Sequence, residues 1–186
     1  MKKILFLLPL LFLVIFPKAL VYADDSSMSA TVTPAMMATT NYTLPYPGIL
    51  PDNPLYIFKV VRDNIVTFFI SDPSRKSAFY LLQSDKRIAA SWYLLKEGNS
   101  KDSLALTTLS KSTNYMSQAI DELSSAKASG ESINAEKDSI TNALVKHIAV
   151  VESMLMTQGL TSKNGFTQEL QRLKDLQKGV SAISTQ

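Results

Sequence analysis

The sequence predicts an all-α protein: an up-and-down antiparallel helical bundle of four long helices plus a short C-terminal helix, preceded by a proline-rich lead-in. Three observations carry this reading. All eight prolines lie at or before Pro73, so the long remainder of the chain is free of the strongest helix breaker. Beyond that point apolar residues recur at intervals of three and four, the period of a one-sided helix. Gly98, Gly130, Gly159 and Gly179 then punctuate the pattern where helices need to stop.

The elements follow in order. Lys2 and Lys3 precede an apolar run from Ile4 to Phe16, and Val21-Tyr22-Ala23 before Asp24 resembles a processing site. Residues 1–23 therefore read as a signal peptide cleaved between Ala23 and Asp24. The run is interrupted by Pro9 and closed by Pro17, and it falls short of the roughly 20 apolar residues that a membrane span takes. The expectation is an exported, extracytoplasmic protein that meets the membrane only transiently, through its leader. Residues 24–43 are rich in Ser, Thr, Ala and Met without a sustained period, and read as a flexible spacer. The bundle domain is expected over 44–180, with a disordered tail at 181–186.

Four proline or glycine positions between Leu44 and Pro51 impose extended and turn geometry. Asn53-Pro54 and Asp72-Pro73 each set a capping side chain before a proline suited to the first helical turn. Helices are accordingly predicted over Pro54–Ile70 and Pro73–Glu97, the latter stopped by Gly98-Asn99. A third is predicted over Asp102–Ala128 and a fourth over Ser132–Gln158. A shorter tail helix, Phe166–Lys178, is predicted to end at Gly179. Leu106, Leu109, Met116, Ile120 and Leu123 form one stripe of the third helix, with Thr113 as its polar member. Ile140, Leu144, Ile148, Val151 and Leu155 do the same on the fourth, and Leu81, Leu82, Ile88, Ala89, Trp92 and Leu95 line the second.

The segment Tyr46-Pro47-Gly48-Ile49-Leu50-Pro51-Asp52-Asn53-Pro54-Leu55-Tyr56, followed by Lys59, Asp72-Pro73 and Arg87, resembles an uncharacterised family of exported bacterial helical domains, a domain of unknown function. The resemblance covers about residues 45–98. It implies a proline-rich approach, a helix opening Pro-Leu-Tyr with a following lysine, and a second helix that opens at Asp-Pro and carries an arginine. Position 90 holds Ala where the family pattern expects a glutamate. The family supplies no activity, substrate or catalytic residue. On physical grounds Pro51 and Pro54 fix the approach angle, and Tyr56 is an anchor with a polar tip. Lys59 and Arg87 are expected to bond carbonyls of the lead-in or to pair with Asp63 or Asp85, with an anion-binding pair as the alternative.

Composition excludes much chemistry. The formal charge of +3 comes from the three lysines before Ala23, beyond which basic and acidic residues balance, so no nucleic-acid partner is indicated. Without cysteine there is no disulfide, thiol nucleophile or thiolate-bound metal. No Gly-x-Ser-x-Gly elbow and no pair of glycines two apart occurs, so neither a nucleophile elbow nor a phosphate loop is present. No cofactor is called for.

His147, the only histidine, lies at the edge of the fourth helix's stripe without a second ligand at metal spacing. Phe68, Phe69, Phe79, Tyr80, Trp92 and Tyr93 crowd the first two helices, and helical spacing assigns most of them to the core. Adjacent aromatics cannot share one narrow stripe, however, so Phe69, Tyr80, Trp92 and Tyr93 form a candidate surface for an unknown protein or an apolar ligand. The functional expectation is an exported, non-enzymatic helical module that binds or scaffolds. Two alternatives stand beside it: a ligand or metal carrier using His147 and carboxylates, and a hydrolase with a cross-helix carboxylate pair. Oligomeric state is not specified by the sequence.

Overall fold

The computed structural model describes residues 41–157 and 159–184. Among these residues the protein is all-helical, with five α-helices, one short 3-10 turn and no strand. The helices are α1 (Tyr56–Phe69), α2 (Pro73–Lys96), α3 (Asp102–Ala128), α4 (Asn134–Leu155) and α5 (Lys163–Ala182). None of the described helices is long and apolar enough to cross a membrane. The proposed leader and its cleavage point, Ala23 and Asp24, lie outside the described residues, as does most of the expected spacer. The last residues assigned to that spacer are described, and Tyr42 among them is anchored to α2 by a hydrogen bond from its hydroxyl to Asp85, 2.6 Å long.

α2 opens as its sequence predicts. Pro73 occupies the first turn, and the Asp72 carboxylate accepts from the Arg75 amide at 2.8 Å, a cap worth about 1 kcal/mol. The other proline signal behaves differently. Asn53 accepts from Leu55 N through its side chain, so Asn53-Pro54 forms a tight turn and α1 begins two residues after the predicted start. Gly98 and Gly130 adopt the left-handed conformation that ends α2 and α3. α4 is shorter at both ends than Ser132–Gln158. α5 is longer than Phe166–Lys178, because the chain continues helical through Gly179 to bury Val180 and bring Ile183 against the core. Ser181 and Ala182, assigned to a disordered tail, belong to this helix.

The most extensive packing joins α2 to α3, followed by α4 with α5, and both pairs meet through α2–α4 and α3–α5 contacts. A repeat in small residues explains the first seam. Ser77, Ser84 and Ser91 stand seven apart on α2 and are fully buried. Their hydroxyls donate to the carbonyls of Ala119, Ser112 and Ala105, seven apart in the opposite order on α3. The two helices are thus antiparallel. Small side chains let the backbones approach, and each hydroxyl satisfies itself on the facing helix instead of being buried unpaired.

Around this seam Ile88, Leu94, Leu109, Met116 and Leu123 pack with Ile140, Leu144, Val151, Phe166 and Leu173 in one core. Each such side chain contributes about 1.5–3 kcal/mol by leaving water. Of the predicted stripe residues, Leu106, Ile120, Ile148, Leu155 and Trp92 are only partly buried, and Leu82 is exposed. Thr113 is buried and satisfies its hydroxyl on the carbonyl of Leu109 one turn back.

α1 stands apart from this packing: it is absent from the extensively packed helix pairs. Its orientation reverses the usual arrangement. Ile57, Val61, Ile65 and Phe68, spaced as one helical stripe, face solvent together with Phe58 and Phe69, while Asp63 is buried.

Candidate functional site

The polar side of α1 and the middle of α2 and α3 line a partly open cavity of about 350 Å³. α1 contributes Tyr56, Val60, Asn64 and Thr67 to its walls, α2 contributes Tyr80 and Arg87, and α3 contributes Lys111, Asn114, Tyr115 and Gln118. The spacing explains the selection. Tyr80 and Arg87 are seven apart on α2, as are Lys111 and Gln118 on α3, so each pair projects from one face. The lining holds two cationic side chains and no carboxylate.

Arg87 dominates the cavity. It is 3% exposed, and neither its Nε nor its Nη1 has a hydrogen-bond partner. Among the described residues no carboxylate pairs with it. Its guanidinium lies 4.9 Å from the Tyr56 ring centroid and 5.9 Å from that of Tyr115. Tyr115 in turn stacks on Tyr80 at 6.0 Å with 28° between the planes. Burial pulls the guanidinium below its ordinary pKa, with Tyr115 opposing the shift. The Tyr56 hydroxyl is also buried without a partner. Tyr56 thus sets its ring against Arg87 with its polar tip unpaired, and Arg87 meets neither Asp63 nor Asp85, because Arg62 takes the first and His147 the second.

Of the partners the sequence left open to Lys59, the structure shows a lead-in carbonyl: its ammonium donates to Pro47 O at 2.7 Å and ties α1 to the preceding segment. Burial lowers its pKa, Asp63 works against that, and Lys86 and Arg62 add to it. Pro51 and Pro54 shape the turn ahead of α1. The candidate aromatic surface divides. Phe69 is 75% exposed on the outward side of α1, and Tyr80 lines the cavity. Trp92 packs against the core with Lys96 over its ring, and Tyr93 meets Tyr46 edge to face at 6.4 Å. The outward aromatics of α1 correct the expectation that most of the crowd is core: a helix whose inner side carries Asp63 and Thr67 must turn its phenylalanines outward.

A second polar cluster is buried between α2 and α4. Asp85 accepts from the Tyr42 hydroxyl on Oδ2, and its Oδ1 lies 2.8 Å from His147 Nε2. His147 is fully buried rather than at an edge, and its Nδ1 has no partner. Burial, followed by the charge of Asp85, drives the Tyr42 phenol far above its ordinary pKa, so this hydroxyl remains a donor. The carboxylate that His147 meets is thus engaged by a tyrosine rather than by a second carboxylate. No three His, Asp or Glu side chains converge as metal ligands among the described residues.

Fold and site together define an all-helical domain with a buried arginine in a tyrosine-lined cavity, covered by a helix that shows its apolar side to solvent. Residues 48–158 match the model of a family described as a domain of unknown function, DUF5667, and the chain belongs to that family. The match runs from the turn before α1 to the end of α4 and stops short of α5. Comparison with curated proteins and comparison with solved structures each return no match.

Proposed function

We propose that this protein is an exported, non-enzymatic binding module whose docking surface is the outward side of α1 and whose partner is an amphipathic helix of another protein. In this reading α2–α5 form an up-and-down bundle, and the proline-rich segment before Tyr56 holds α1 against it. Export rests on the tripartite leader pattern of residues 1–23.

The observation that carries the proposal is the inversion of α1. Phe58, Phe68 and Phe69 are 70%, 83% and 75% exposed. Phenylalanines carry about 150–250 Å² each, so these three alone approach the size of patch that marks an interaction surface. Ile57, Val61 and Ile65 continue the patch at the spacing of a helix ridge, the shape that seats in the groove of another helix. Lys86 and Arg62 lie close enough to Lys59 to help lower its pKa, and this gathering of positive charge beside α1 favours a partner with acidic residues flanking its apolar stripe.

A photo-crosslinking residue at position 65, with one at position 178 as the control, tests this in the native host. The expected result is a protein adduct from position 65 alone, lost on Phe68→Glu. Adducts only to lipid, adducts only to a second copy of the chain, or equal labelling from both positions would each overturn it.

A further inference from the structure

We propose that the cavity beneath α1 is a binding site for a small organic anion, a carboxylate carried on a planar body. The argument begins with the charge that the fold leaves uncompensated. Arg87 is almost wholly buried, and two of its nitrogens lack any acceptor. Removing a charge from water costs several kcal/mol even after relaxation. A hydrogen bond to Tyr115 and the two tyrosine rings beside it, at about 0.5–2 kcal/mol per ring, return part of this and supply no counter-charge.

The cavity is built to admit one. Lys111, at its exposed rim, adds a second positive charge, and no carboxylate in the lining competes for either cation. Asn64 supplies an amide group that can orient a polar head, as does the Nδ2 of Asn114, whose Oδ1 accepts from Arg172 at 2.7 Å.

Size and shape narrow the ligand further. At about 30 Å³ per water, 350 Å³ holds on the order of ten non-hydrogen atoms, more than a lone oxyanion needs. Tyr80 and Tyr115, stacked on each other with Lys76 and Arg87 against their rings, both line the cavity, and an aromatic body packed at the edge of this pair would place its carboxylate toward Arg87 and Lys111. This site is separate from the outward side of α1, so failure of either proposal leaves the other standing.

Isothermal titration of the full chain with benzoate, benzamide and inorganic phosphate tests the site, with the Tyr80 and Tyr115 ring resonances followed by NMR. Benzoate is expected to bind and to shift both rings, at least about tenfold more tightly than benzamide, because only the carboxylate forms charge-assisted hydrogen bonds. Arg87→Gln is expected to weaken benzoate at least about tenfold and Lys111→Gln about threefold, the second substitution being exposed and harmless to folding. Should Arg87→Gln fail to fold, Lys111→Gln decides the matter. Absence of benzoate binding, equal affinity for benzamide, equal affinity for phosphate, or affinity unchanged by Lys111→Gln would each overturn the proposal.

Discussion

Asp85 holds together residues from three distant stretches of the chain: Tyr42 ahead of the helices, its own position on α2 and His147 on α4. A carboxylate this deeply buried is tolerable because each oxygen has a partner. Tyr42 makes the arrangement sensitive to alkali. Its folded pKa lies above the ordinary phenol value of about 10. The folded state therefore holds this proton more tightly than the unfolded chain does. The resulting stabilisation is complete below about pH 10 and is lost as pH rises toward the folded pKa. Between pH 8 and pH 11 the urea midpoint of the wild type is expected to fall further than that of Tyr42→Phe. The difference should stay below about 1 kcal/mol, because the phenol is partly exposed and the full linkage of about 1.4 kcal/mol per pH unit is screened. His147 was placed by the sequence only at the edge of an apolar stripe, and its partner stands 62 positions away, with no local pattern to connect them.

At the scale of the element, α2 and α3 pack through small residues, and this has a measurable consequence. Ser84 donates to the carbonyl of Ser112, and Ser112 donates to that of Ser84, across a seam with no room for a larger side chain. Ser84→Ala removes one hydrogen bond of that pair and is expected to cost about 0.5–1.5 kcal/mol. Ser84→Leu must separate the helices and is expected to cost about 3 kcal/mol or more, measured by chemical denaturation. The signal was present in the sequence as Ser at 77, 84 and 91 and Ala or Ser at 105, 112 and 119. Apolar periodicity misses it because serine does not register as a core residue until its hydroxyl has a carbonyl to meet. α1 misleads in the opposite sense. Its helix was expected from the Asn53-Pro54 signal, but a start signal says nothing of which side the fold covers.

For the whole molecule, burial and helical pattern separate cleanly, and substitutions should follow burial. Leu109 is fully buried where α3 meets the core, so Leu109→Ala is expected to cost about 2–5 kcal/mol. Ile65→Ser on α1, at 54% exposure, is expected to change stability by less than about 0.5 kcal/mol in either direction, although Ile65 is an apolar residue at helical spacing. Thermal or urea unfolding of the two variants beside the wild type checks the contrast. A loss at Ile65 comparable with that at Leu109 would mean that α1 is packed against the body and has no free face.

The sequence by itself determined the helical class, the start of α2 at Asp72-Pro73 and the glycine stops at Gly98 and Gly130. All of these depend on a few neighbouring residues and on rules of backbone geometry. Only the tertiary structure decided that Arg87 lies without a carboxylate in a tyrosine-lined cavity, that Asp85 joins Tyr42 to His147, that α5 runs through Gly179, and that α1 turns its phenylalanines outward. Each of these depends on which helix lies beside which, and that is settled by the sum of packing across the whole core, which no single stretch of sequence contains.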